Sequence, residues 1–329
     1  MRNVLKLASC IFAISILFGC SDYSELNMQK LVNGAGIDKK DDEIYVSIVS
    51  PTLSEEKERE IIKTSGKSFF DAVRNAASIS DKKLYWGHAT VLVMGENLLS
   101  EMDTLLDSIL RARDVYPDIA LVVAKGTDAE SVLNAGEGDV TESIYNMFAN
   151  EENSKRFQAL RIWELFRERE EFGVCVIPTV SIEKGEIFLS GGAVINGGKP
   201  SGYLSGEEVL IRSLVTDKGA GGYLPMLSGE KGEVSFEILA REGKKKETET
   251  GNEISLRITL SPAEVRGEMS GEEMKKLGEK YIKEETKKLL ERASRENLGD
   301  IFALGKSADY NNTEIFCEVR ISDILGGEK

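Results

Sequence analysis

Apolar residues recur along this chain in two rhythms. Unbroken runs over 44–49, 89–94 and 119–124 read as strands, the first stopped by Pro51. Between them, apolar positions fall at helical spacing. Residues 68–77 read as a helix, and Leu98, Met102, Leu105 and Ile109 mark one helical face at the 3.6-residue period. Thr127-Asp128-Ala129-Glu130 reads as a capping box opening the next helix. Residues 154–170, carrying Phe157, Leu160, Trp163 and Phe166, read as a further charged helix, and 52–64 as a charged loop. Strand–helix alternation of this kind favours an α/β or α+β layer.

Past Phe172 the pattern changes. Strands over 173–182 and 186–190 alternate with Gly-rich turns at Gly191-Gly192, Gly197-Gly198 and 219–222, with a short helix over 207–215. Residues 233–240 then pair with 253–260 across a polar turn, 244–251, and a long helix runs from Glu272 to about Asn297. On that helix Glu272/Lys276, Glu279/Lys283, Glu284/Lys288 and Glu291/Arg295 fall at i,i+4 in the favourable order, opposite Met274, Leu277, Tyr281, Leu289 and Ala293. It reads as a solvated amphipathic helix over a sheet. The expectation is an α+β fold of three consecutive mixed α/β domains behind a signal segment. Residues 1–19 form the signal, 20–172 an N-terminal α/β domain, and 173–228 a small Gly-rich middle domain. Residues 229–329 form a C-terminal domain in which a β-sheet packs with the long helix.

The start of the chain has a pattern of its own. Arg2 and Lys6 precede an apolar run, 7–18, too short to span a bilayer as a stable helix and right for a secretory signal. It ends Leu17-Phe18-Gly19-Cys20, and a small residue directly before a cysteine, with leucine three positions ahead, resembles the lipobox of bacterial lipoproteins. Phe18 stands where a small or aliphatic residue is usual. The resemblance implies a diacylglyceryl group on the Cys20 thiol and cleavage just before it. Charge narrows the choice of partners. The chain has 329 residues and a formal charge of −14, and losing Arg2 and Lys6 leaves 40 Lys+Arg against 56 Asp+Glu, or −16. With no basic block it is a poor candidate for nucleic-acid binding, and anionic headgroups repel it, so the lipid must do the anchoring.

Candidate chemistry is sparse. Gly66-Lys67-Ser68 resembles the end of a phosphate-binding loop, but the glycine required five positions earlier is Ile61, and no apolar strand leads into it. Gly34-Ala35-Gly36 would begin a dinucleotide fingerprint, but the third glycine position holds Lys39, and a turn is the better account. His88 is the single histidine; its setting before a strand favours a structural role over a catalytic one, and no serine sits in a nucleophile elbow. Cys175 and Cys317 read as two buried thiols, with a disulfide between them left open. Paired-carboxylate chemistry is the one enzymatic option left. No catalytic, metal or cofactor-binding residue is assigned.

Several segments, taken in order, resemble the Ger(x)C family, the C subunits of nutrient germinant receptors in endospore-forming bacteria. They are Cys20 followed by Glu25-Leu26, Gly34-Ala35-Gly36-Ile37-Asp38, the stretch Ser65 to Arg74, and Lys83 to Ala89. Further on come Gly191 to Val194, Glu207 to Arg212, and Leu298-Gly299-Asp300-Ile301-Phe302. The family usually has Trp-Asp after the lipid cysteine where this chain has Ser21-Asp22, and its longer helical ending is here a short run, 305–312, into a terminal strand. The resemblance implies a three-domain α+β lipoprotein without catalytic residues or cofactor, on the outer face of the spore inner membrane. It further implies assembly with membrane-embedded A and B subunits that trigger germination on sensing a nutrient. A solute-binding lipoprotein serving a transporter is the alternative, and it calls for two similar lobes around a hinged cleft.

Overall fold

The computed structural model describes residues 28–52, 59–112, 115–249, 251–305 and 309–322. Cys20 and the apolar run before it lie outside the described residues. The first half of the chain runs β1 (Gln29–Leu31), β2 (Gly34–Lys40), β3 (Glu43–Pro51), β4 (Arg59–Gly66), α1 (Phe69–Ala76), β5 (Lys83–Tyr85), β6 (Val91–Gly95), α2 (Met102–Leu110), β7 (Ala120–Ala124), α3 (Ala129–Asn134), α4 (Val140–Ala149) and α5 (Ile162–Phe172). The second half runs β8 (Val174–Glu183), β9 (Glu186–Asn196), β10 (Lys199–Leu204), α6 (Gly206–Thr216), β11 (Lys218–Gly219), β12 (Tyr223–Ser228), β13 (Gly232–Thr248), β14 (Gly251–Gly267), α7 (Gly271–Glu296) and β15 (Thr313–Ile321).

Eight strands form one mixed sheet in the order β10-β9-β8-β7-β6-β2-β3-β4, with β2, β6, β7 and β8 parallel at its centre. The central strands are apolar throughout because helices cover both faces. Leu121 and Val123 of β7 face α1, α2 and α5, whereas Ala120, Val122 and Ala124 face α3 and α4. β6 divides in the same way, with Leu92 and Met94 on one side and Val91 and Val93 on the other. A second sheet, β11-β13-β14-β15 with β12 also on β13, carries α7 across one face. It contains the long hairpin of β13 and β14 and a parallel pairing of β14 with β15.

The segment 173–228, expected as a small domain of its own, has no separate sheet. Its first three strands extend the eight-stranded sheet, and β11 and β12 join the second. The reason lies in β8. Cys175 and Ile177 enter the first core, while Val174 and Val176 turn into the second. Strand and helix ends also differ from the sequence reading. The charged segment 52–64 contains edge strand β4, whose outward positions tolerate charge, so a strand does lead into Gly66-Lys67-Ser68. Ile61 sits within that strand, and Ser68 Oγ caps α1 by accepting from Asp71 N at 3.1 Å. Gly34 and Gly36 form no turn. They lie inside β2, where a Cβ on Gly34 would stand 2.5 Å from Val91 O, and one on Gly36 would stand 2.9 Å from Leu133 Cδ1. These glycines are close-approach positions. The helix cap lies at Asp128, one residue past Thr127, and Asp38 adds a second carboxylate there by accepting from Ala129 N at 2.9 Å and Glu130 N at 3.1 Å. Within 154–170, helix begins only at Ile162. The polar stretch Lys244 to Thr248 is strand, and Thr248 already pairs with Gly251, so the hairpin turn is shorter than expected. Gly191 and Gly192 lie within β9 beside an irregularity in its pairing with β8, whereas Gly197-Gly198 do form the turn, both at positive φ.

Helix α6 joins the two bodies and is buried from Val209 through Val215. Its side chains pack on β8–β10 on one side and on the second sheet and α7 on the other. The close approach is visible at Gly243 of β13, where a Cβ would stand 2.4 Å from Val215 O. Arg212 is buried in this helix. Its Nε donates to Ile301 O at 2.8 Å and its Nη1 to Gln158 Oε1, and Gln158 Nε2 donates to Glu168 Oε1 at 3.4 Å. Ile301 belongs to the segment Leu298–Phe302, whose apolar side chains are fully or nearly fully buried. Lys245 Nζ donates to Phe302 O at 3.2 Å, and Tyr310 Oη accepts from Phe302 N at 3.3 Å. Gly299 adopts positive φ against β8, where a Cβ would stand 2.5 Å from Val174 Cγ2. Beside this cluster Lys155 is buried between Glu151 and Glu152, at 2.7 and 2.8 Å. Burial pulls its ammonium pKa down, but those hydrogen bonds and the nearby Asp217 outweigh it and hold the value above normal. α7 is tied in by Arg292, which reaches Glu208 at 2.6 Å and Tyr203 O at 2.8 Å.

This packing makes three substitutions informative. Gly34→Val forces β2 off Val91 and should cost about 1–3 kcal/mol or more, read as a lowered denaturant midpoint. Arg212→Ala leaves Ile301 O and Glu168 without their buried cation and should cost roughly 3–5 kcal/mol. Glu168→Gln has the opposite sign. Burial raises the Glu168 carboxyl above its ordinary 4.5, with the Arg212 charge only partly offsetting that. A carboxyl raised on folding contributes stability that is complete below its unfolded pKa and is lost as pH rises through the folded one. Glu168→Gln should therefore melt higher than the parent at pH 7, with the difference closing as pH falls below about 4.5. A lower melting temperature for the variant at pH 7 would contradict the assignment.

Candidate functional site

Cys20, the residue the sequence singles out, lies outside the described residues. The described chain begins at Met28, and β1 pairs in parallel with β5 as a two-stranded ribbon. Val32 N donates to Tyr85 O at 3.0 Å, and Lys30 bridges Glu60 and Asp81, each at 3.0 Å. The ribbon hangs on the edge of the large sheet at which the parallel strands begin. Along that edge Thr90 N donates to Asn33 O and Ala120 N to Thr90 O, both at 2.8 Å. The line continues through Ile162 N to Ile119 O at 3.0 Å and Trp163 N to Pro117 O at 3.1 Å. Asn33 Nδ2 also reaches Asp139 Oδ2, at 2.7 Å, at the cap of α4. The described chain thus begins beside the starts of β2, β6 and β7.

Two of the resemblance segments build this region. Ser65 to Arg74 is the end of β4 and the start of α1, whose Phe69 ring meets Trp86 edge-on at 6.5 Å. Lys83 to Ala89 supplies β5 and a single 3-10 turn, Trp86–His88, on which His88 is exposed rather than part of a core. The segments Gly191 to Val194, Glu207 to Arg212 and Leu298 to Phe302 converge instead on the junction around α6. Their order is legible in the sequence; that three of them share one contact is not.

Cys175 and Cys317 are both free. Cys175 lies in the first core and Cys317 packs against the second, so the disulfide left open by the sequence does not form. Burial pushes both thiols up to about 12, which keeps them protonated and unreactive at neutral pH. Among the described residues no cluster of three or more His, Cys, Asp or Glu is placed to hold a metal ion. Among the same residues no helix is long and apolar enough to cross a membrane. On α7, Lys276 pairs with Glu272 as the spacing suggests, whereas Lys288 turns to Glu285 and Arg295 to Glu296.

Comparison with known proteins divides the chain near the β8–β9 connection, within the large sheet. Residues 22–182 match the family model described as "Spore germination protein N-terminal domain", and residues 190–320 match "Spore germination B3/ GerAC like, C-terminal". Spore germination protein KC of Bacillus subtilis is 25% identical over 148 residues, which are 40% of this chain and 36% of that protein. Spore germination protein A3 of the same organism is 23% identical over 232 residues, 66% of this chain and 62% of that protein. The matches therefore span less than two thirds of the length of either relative. The crystal structure of the GerBC protein superposes with a TM-score of 0.55 at 18% identity, covering 91% of this chain and 99% of that one, and shows the same fold. With the two models together covering nearly all of the body, the chain belongs to the Ger(x)C family of spore germination proteins.

Proposed function

We propose that this chain is the non-enzymatic C subunit of a nutrient germinant receptor. In this reading it is held by lipid on Cys20 at the outer face of the spore inner membrane and assembles with membrane-embedded A and B subunits to trigger germination. The observation that carries the reading is the junction. The two sheets do not face each other across an open cleft; α6 fills the space between them, and the guanidinium of Arg212 ties it to Ile301. A solute-binding lipoprotein needs two similar lobes able to close on a ligand. Here the lobes differ, one an eight-stranded mixed sheet with helices on both faces and the other a five-stranded sheet under one long helix. A body of this kind presents a fixed outer surface to protein partners. The lipid raises its effective concentration beside them.

Acyl chains contribute about 0.8 kcal/mol per buried CH₂, so two or three of them hold the chain on the membrane against its net negative charge. Cys20→Ala should leave the melting temperature unchanged, move the protein from the membrane pellet to the supernatant, and weaken germination. Membrane retention of the variant at the parent level would overturn the anchor. Deleting the gene should abolish the response to one nutrient class while other receptors still respond. A full response to every nutrient in a strain with no redundant receptor would overturn the receptor role.

A further inference from the structure

The sheet edge at which the described chain begins also carries a group of exposed apolar side chains. Met28, Ile79 and Tyr116 are 64%, 62% and 60% exposed, and Tyr85 and Trp163 join them on the same edge. The hydrogen bonds from Asn33 through Thr90 and Ala120, and from Trp163 to Pro117, place their segments side by side. Ile79 follows the end of α1, two residues before Asp81, which Lys30 of the ribbon binds. The acidic groups here are engaged locally: Lys30 binds both Asp81 and Glu60, and Arg161 binds Asp118. Lys82, Lys83 and Arg167 are exposed beside them, with Arg167 stacked over the Trp163 ring at 5.0 Å. In a chain of net charge −14, this edge is one that an anionic surface does not repel.

Length decides what the edge meets. Seven residues, 21–27, separate Cys20 from Met28, so the two Cα atoms can be at most about 28 Å apart even at full extension. A body of this size has a radius of gyration of roughly 19 Å, hence a diameter near 50 Å. The tether is shorter than the body it holds. Only the edge bearing Met28 can stay within its reach while the acyl chains are in the bilayer. Trp and Tyr favour the interface between headgroups and hydrocarbon, because the ring is apolar and its N–H or O–H is polar.

We propose that this edge is a lipid-contacting surface on which Met28, Ile79, Tyr85, Tyr116 and Trp163 rest in the bilayer interface, fixing the orientation of the body above the membrane. The inference rests on lipidation at Cys20 and is tested separately from it. The full chain is reconstituted into vesicles of phosphatidylethanolamine and phosphatidylglycerol whose acyl chains carry a nitroxide quencher. The chain has two tryptophans, and Trp86 is buried. Tryptophan emission should fall by at least about twofold for the exposed Trp163, as expected of an interfacial indole. Trp163→Phe should remove most of the quenching, leaving only the smaller share of the buried Trp86, which follows Tyr85 on the same edge. Adding Phe188→Trp, an exposed site past the opposite end of the parallel strands, should not restore it. Each replacement is at an exposed position, so folding is preserved.

Failure of the parent chain to float with the vesicles would overturn the anchor and this inference with it. Flotation without quenching overturns the surface alone and leaves the anchor standing. Equal quenching at position 188, or quenching that Trp163→Phe does not reduce, overturns the proposal. Shielding of Trp163 only in membranes that contain other proteins assigns the edge to a protein partner and overturns it as well.

Discussion

The buried guanidinium of Arg212 ties the two bodies together. Arg212 projects from a helix with almost no exposed surface and is satisfied by a backbone carbonyl 89 residues later in the chain and a side-chain amide 54 residues earlier. Removing a cation from water is costly unless hydrogen bonds replace its hydration, so the helix can be buried only where Ile301 O and Gln158 are both in place. This requirement couples the two bodies. The first sheet cannot close over Val174, Val176, Val194 and Leu204, nor the second over Phe302, without the other.

Glu168 gives the junction a second character. It is buried near Arg212, and burial raises its carboxyl although a cation stands close by. Desolvation outweighs attraction there, as it commonly does for ion pairs away from water. The pair specifies how the bodies meet more than it strengthens their meeting. Around it the exposed ion pairs on α7, such as Glu272 with Lys276, contribute a few tenths of a kcal/mol each and mainly keep that face wet.

Much of the fold is legible in the sequence where local chemistry and tertiary burial agree. The apolar runs at β6 and β7 read as strands because both faces are covered, and the helix read from Glu272 to about Asn297 is α7. What is not legible depends on partners distant in sequence. Gly34 and Gly36 look like turn residues until α3 and Val91 are seen packed against them. β4 looks like a loop because an edge strand with one solvated face can carry Arg59, Glu60 and Lys63. β8 looks like the start of a new domain because its composition changes, yet its alternation serves two cores at once. The expected lipid site, Cys20, rests on its motif alone. The exposed apolar edge could not be read in that way, since Met28, Ile79, Tyr116 and Trp163 come from four separate segments and meet only through the parallel strand order.

The double role of β8 has a consequence for how the molecule is made. A chain emerging N-terminus first presents β8, β9 and β10 before Leu298 and Phe302 are available. Over that interval the outward side chains Val174, Val176 and Val194 form an uncovered apolar strip along a sheet that has already paired. Such strips invite association between neighbouring chains. Completion therefore depends on the last part of the polypeptide, and a truncation near residue 297 would uncover Val174 of the first body as well as the second core.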